Sequence, residues 1–249
     1  MNNNQWKYFC DFRREFNQKV QEWSSQIPGL RDLQKNAADA AGTTSYPVEN
    51  PVVYNSDLDK ITKDDEIKLI VIGDNPGKSE QLEQNKRYLC GQAGKLAEGF
   101  FKNHPELGID FRKNVIILNK TPVHSAKTNQ LKSIIKEGGP LADKLILDSQ
   151  KWMAEQTAEL HKALGEVELW LVGYSELKEG HFFCPYRDTL KEAYKGAAEA
   201  WNKVFVYQHF SMNRFTVDLK DFEKQNPGCS LTEKLHKLGT IHRGEIFLD

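Results

Sequence analysis

The chain has 249 residues, with 34 Lys+Arg against 35 Asp+Glu for a net charge of −1, and is 39% hydrophobic and 28% charged. That usage excludes a disordered or fibrous chain, and near-neutrality excludes a protein held on nucleic acid by bulk charge alone. Apolar runs stop at about four residues, where a bilayer-spanning helix needs ~18, so no membrane partner is expected. The polar start from Met1 to Trp6 carries no apolar signal-peptide core, which implies a cytoplasmic protein. Cys10, Cys90, Cys184 and Cys229 lie far apart, without the paired spacing of a zinc or iron–sulfur site. No metal or cofactor is therefore expected.

Residues 5–24 place Trp6, Phe9, Phe12, Phe16, Val20 and Trp23 at spacings of three and four, the period of an amphipathic helix. A polar stretch punctuated by Gly and Pro follows over 37–59 and reads as a long surface connection. Residues 1–60 are thus expected to be an N-terminal helix and connection packed on a core domain of residues 61–249. Four continuous β-branched or aromatic runs then recur, at 69–72, 115–118, 169–172 and 204–207. Such runs suit strands buried on both faces, as in a parallel sheet covered by helices. Helical patterns separate them at 92–101, at 130–135 (stopped by Gly138-Gly139-Pro140), at 141–164 and at 189–201. The alternation predicts an α/β fold, a three-layer α/β/α sandwich around a central four-stranded parallel sheet.

In such a sheet, ligands bind where the loops leave the carboxyl ends of the strands. The first run is followed by Gly73-Asp74-Asn75-Pro76-Gly77-Lys78-Ser79-Glu80 and the second by Asn119-Lys120-Thr121-Pro122-Val123-His124. The third is followed by Gly173-Tyr174-Ser175 and the fourth by Gln208-His209-Phe210-Ser211-Met212-Asn213-Arg214. Amides, hydroxyls and a histidine are thereby expected to converge on one edge. The segment from Gly73 to Ser79 imitates a phosphate-binding loop. It has three residues between its glycines where that loop needs four, and Pro76 removes one backbone donor.

Gly73-Asp74-Asn75-Pro76-Gly77 resembles the first motif of the uracil-DNA glycosylase superfamily. Gly91-Gln92-Ala93-Gly94 is similar to the Gly-x-Ala-Gly that opens a helix in its thermophilic branch. Asn119 stands where the superfamily has a base-reading Asn, and His209-Phe210-Ser211 resembles its His-Pro-Ser second motif. The set runs from Gly73 to Arg214 in the family's order, more than half the chain. Phe210 replaces the motif's proline, and the position of the aromatic that stacks on uracil falls on Leu89, beside Tyr88.

The resemblance implies a DNA-repair hydrolase, a monomer acting in base excision on uracil-containing DNA. Asn75 and His209 would be its catalytic residues. Asp74 is a second candidate, since a carboxylate can act as a base and an amide cannot; on an extended segment only one of Asp74 and Asn75 should face the cleft. The base would lie against Gly73, Tyr88, Leu89 and Asn119, whose amide matches the O4/N3–H edge of uracil. DNA would be contacted by Gly91, Lys120, Ser211, Met212 and Arg214, with Met212 as a wedge. A basic rim would add Lys127, Lys132, Lys220, Lys234, Lys237 and Arg243. Two other readings fit the same strand ends: a catalytically weak relative that binds nucleic acid or a nucleobase, and a flavodoxin-like nucleotide-binding module.

Overall fold

The computed structural model of the chain describes residues 1–248, and in it all four apolar runs are strands. They are β1 (Leu69–Gly73), β2 (Val115–Asn119), β3 (Glu168–Val172) and β4 (Val204–Tyr207). All pair in parallel in the order β2-β1-β3-β4. Nearly every strand residue is buried, as continuous apolar runs require when helices cover both faces. The chain runs from β1 outward to β2 and then back past β1 to β3, so the crevice between β1 and β3 is the topological switch point of the sheet.

On one face, Trp170 of β3 stacks on Phe101 at 5.5 Å and on Phe215 at 5.9 Å. These rings belong to α3 (Gln92–Asn103) and α7 (Arg214–Gln225). The helix α8 (Leu231–Phe247) joins them, its Gly239 lying against Phe205 and Tyr207 of β4. The other face is covered by α4 (Gln130–Leu164) and α5 (Cys184–Ala193). An outer pair, α1 (Asn3–Gln26) and α2 (Leu30–Ala40), packs on α4. Phe16 and Trp23 of α1 meet Trp152 of α4 at 5.8 and 5.6 Å, so the N-terminal segment shares the main core. Among the described residues no helix is long and apolar enough to cross a membrane.

Two sequence expectations change, and one break is found where it was expected. Residues 37–59 are no surface connection: α2 covers the first of them, Val48, Val52, Val53, Asn55 and Leu58 are buried, and Val52 bridges to Val123 beyond β2. The two helices expected at 130–135 and 141–164 are present as the two arms of α4, broken where expected at Gly139, which takes the non-helical φ +62°, ψ −152° ahead of Pro140. The helix expected over 189–201 begins earlier, as α5, and breaks before the short α6 (Ala198–Trp201) at Gly196, whose φ is +79°. The sequence reading also missed α7 and α8. Ser230 and Glu233 form a reciprocal capping box at the start of α8, a signal visible in the sequence.

Candidate functional site

The carboxyl ends of β1, β2 and β4 and the start of α3 enclose a cleft of about 480 Å³, within the size range of small-ligand sites. Asp74, Asn75, Leu89, Gly91, Asn119, His209 and Ser211 all line it. A smaller hollow of about 160 Å³ adjoins it through Asp74, Thr128, His209 and Ser211, and is bordered by Met212 and Arg214. Residues 134 positions apart in sequence, Asn75 and His209, thus reach one cavity because each ends a parallel strand on the same edge.

Asn119 ends β2 opposite Gly73 of β1 and is 1% exposed. Neither its amide nitrogen nor its amide oxygen has a hydrogen-bond partner among the described residues, and the nitrogen is fully buried. A buried amide without partners costs roughly 1–3 kcal/mol, which a ligand offering a matching edge would recover. Gly73 does not line the cleft, contrary to expectation. Its role is spatial: a Cβ there would come within 2.5 Å of Asn119 Oδ1.

His209 follows β4 and is held by Ser211, whose backbone N–H and hydroxyl both donate to Nδ1, at 3.0 and 2.7 Å. Nδ1 is therefore the acceptor and the ring proton resides on Nε2. Burial holds the imidazole below its ordinary pKa, against the opposing pull of Asp74 and with the help of the Lys120 ammonium. A neutral ring offering an Nε2–H suits stabilisation of a developing anion. Phe210, in place of the motif's proline, is buried against Phe215 at 4.7 Å and anchors the turn from below.

Asp74 and Asn75 both line the cleft, where alternation predicted only one, but they are differently occupied. The Asn75 amide donates to Ser125 Oγ at 3.0 Å and to the carbonyls of Ser125 and Pro76 at 3.2 Å, and its oxygen accepts from Thr128 Oγ1 at 3.0 Å. Asp74 Oδ1 accepts from Lys120 Nζ at 2.5 Å, and Asp74 Oδ2 has no protein partner among the described residues.

Lys120 is the largest correction. Expected at the DNA-facing rim, it is fully buried. Its ammonium sits at the switch point, donating also to the carbonyls of Val172 at 2.6 Å and Gly73 at 3.4 Å, 5.0 Å from the Phe183 ring centre. Burial lowers its pKa while Asp74 opposes that shift. Gly173 makes room for the pair: at φ +100°, a Cβ there would press on Asp74 Oδ1 at 2.3 Å and on Lys120 Nζ at 3.1 Å. Of the other expected rim residues, Lys127 borders the cleft, whereas Lys237 lies in a separate shallow hollow between α7 and α8.

Tyr88 is also corrected. Its ring is fully buried and its hydroxyl donates to the carbonyl of Val53 at 2.5 Å, so only Leu89 of the pair faces the cleft. Leu89 adopts φ +47° and its carbonyl passes so close to Gly94 that a Cβ there would stand 1.5 Å away. Arg112 Nη2 donates to that same carbonyl at 2.5 Å. The second glycine of Gly91-Gln92-Ala93-Gly94 is thus required by the approach of loop to helix.

Two further residues of these loops, given no role from the sequence, brace the site. Glu80 lines the cleft, is 7% exposed, and ties the first loop to the segment ahead of α3 by accepting from Gly77 N at 3.0 Å and from the N–H groups of Leu89 and Cys90. Burial pushes its carboxyl up to about 7 despite those bonds. His124, fully buried, donates from Nδ1 to the Pro76 carbonyl at 2.8 Å and accepts from the Tyr46 hydroxyl at 3.0 Å, with its pKa pushed down to about 4 by burial. A strap from residues 46 to 56 completes this scaffold: Gln81 binds Pro47, Glu49 and Asn50, and Asn55 Nδ2 donates to the Ile117 carbonyl. The chain matches no family profile, no curated protein and no solved structure.

Proposed function

We propose that this protein is a uracil-DNA-glycosylase-like N-glycosyl hydrolase, removing uracil or a related deaminated base from DNA after the nucleotide is flipped out of the stack. The observation that carries this reading is the unpartnered Asn119 amide, buried in a cleft that also holds the neutral His209 ring. An amide with a free donor and a free acceptor matches the O4/N3–H edge of uracil. A base leaving with the glycosidic electron pair becomes an anion, which the His209 Nε2–H is suited to stabilise. A flipped base needs an enclosed pocket, and the cleft volume of about 480 Å³ accommodates one.

The decisive measurement is release of free base from oligonucleotides carrying uracil, hypoxanthine or xanthine, single- and double-stranded. Release from at least one substrate is expected, with Asn119→Asp slowing uracil removal by about 100-fold or more, because a carboxylate cannot donate to O4. No release from any substrate, together with tight nucleotide binding and no DNA affinity, would replace this reading with the nucleotide-binding one.

A further inference from the structure

The resemblance assigns the attacking water to Asn75, yet the Asn75 amide is committed to the protein. Its nitrogen is spent and its oxygen already accepts from Thr128, joining the first loop to residues 125–128; the lone pair left on that oxygen can hold a water but, belonging to an amide, cannot take its proton. Beside it, Asp74 lines the same cleft, with Oδ1 fixed by Lys120 and Oδ2 without a protein partner among the described residues. Burying an ammonium is costly, and a protein retains one only where partners compensate for lost water. Lys120 has three such partners, Asp74 and the carbonyls of Gly73 and Val172, and Gly173 lacks the side chain that would displace them. All of these converge on the orientation of one carboxylate.

We infer that Asp74 is the catalytic residue that orients and deprotonates the attacking water, and that the buried Lys120 is a positioning residue acting through it; Asn75 is a structural knot. The inference rests on the glycosylase reading above. In the step, the water oxygen bonds to the sugar C1′ as the C1′–N bond breaks. The bonding pair leaves with the base, whose negative charge meets the His209 Nε2–H, and the water proton passes to Asp74 Oδ2. Before that transfer, the carboxylate also favours the cation-like sugar.

The test is single-turnover release of uracil from an oligonucleotide, alongside DNA affinity, for the full chain and for Asp74→Asn, Lys120→Met, Asp74→Asn/Lys120→Met and Asn75→Ala. Asp74→Asn should slow release by about 100-fold or more while affinity stays within about threefold, the behaviour of an interaction made in the transition state. Lys120→Met should also slow release, and adding it to Asp74→Asn should cost nothing further, since it acts only through the carboxylate. Asn75→Ala should lower the unfolding midpoint and slow release less than Asp74→Asn does. Should Lys120→Met leave Asp74 unpaired and fail to fold, the double variant, which removes both charges, carries the test. A double variant as fast as the natural chain, or Asn75→Ala slower than Asp74→Asn, overturns the inference and leaves the glycosylase reading standing. A natural chain that releases no base overturns both.

Discussion

Gly73 and Asn119 face each other at the carboxyl ends of β1 and β2, and a methyl group on Gly73 would stand 2.5 Å from Asn119 Oδ1. The Asn119 amide therefore owes its position to the absence of a side chain across the sheet. Gly73→Ala should push the Asn119 amide aside. Expected are a loss of about 1–3 kcal/mol in urea unfolding, the usual cost of overpacking, and base release slowed by roughly 10-fold or more. Recovered stability without recovered release in Gly73→Ala/Asn119→Ser would identify the collision with the amide as the source of the lost stability.

His209 is expected to act on the chemical step alone. His209→Ala should slow single-turnover release by about 100- to 1,000-fold, the range for losing one preorganised donor to a developing anion, with DNA affinity nearly intact. Ser211→Ala should have a smaller effect of the same kind, because the ring loses the hydroxyl that helps fix its proton on Nε2. Since burial lowers the His209 pKa, the ring stays neutral at pH 7, and release should not fall from neutral to mildly alkaline pH on its account.

The turn after β4 is expected to handle DNA instead of the base. Met212 is 80% exposed at φ +56°, and Asn213 follows at φ +58°, so the turn projects its side chain beyond the cleft rim. Met212→Ala should slow release from double-stranded substrate more than from single-stranded, since only the duplex has a stack to hold open. Arg214→Ala should weaken binding to all sequences alike and lessen the salt slope of binding by about one.

Stability should depend on pH through three buried groups. His124 and His161 are each held down to about 4 by burial, His161 between the Tyr194 hydroxyl and the Val167 carbonyl. Unfolding lets both take up protons below their ordinary 6.5, so each withdraws stability as pH falls from about 6.5 to about 4, by up to roughly 3 kcal/mol. Glu80, pushed up to about 7, has the opposite sign: its folded form keeps a proton that the unfolded chain releases, so it withdraws stability as pH rises from about 4.5 to 7. Urea midpoints from pH 4 to 7 should therefore steepen with pH in Glu80→Gln and flatten in His124→Gln and His161→Gln.

The strands, their direction and the gathering of their polar ends were legible because buried parallel strands are apolar without interruption, so each run announces both its type and its end. The loops were harder, for reasons that differ by residue. Lys120 follows a strand and reads as a surface cation; its partner Asp74 lies 46 residues earlier, and only the β1–β2 register brings the two together. Tyr88 and Leu89 were indistinguishable in sequence, and the turn of the chain, with Leu89 at φ +47°, sends one into the core and the other into the cleft. Residues 46–56 look like surface because their valines are spaced among polar groups. Those polar groups are spent on Gln81 of the first loop and on the Ile117 carbonyl of β2, which no local pattern displays.

The bracing of the first loop has a consequence for how substrate is captured. Pro76 is clamped by His124, Gln81 is tied to the strap, Glu80 is bound to Gly77 and to the segment ahead of α3, and Asn75 is knotted to Ser125. A wall fastened on every side has no open and closed positions between which to swing, so induced fit cannot originate there. If the proposed glycosylase activity holds, the conformational search falls to the nucleotide, which would rotate into a receptacle already shaped for it. Discrimination between bases would then be settled by whether the entering edge matches a rigid Asn119, and rejected bases would leave without any closing event to undo.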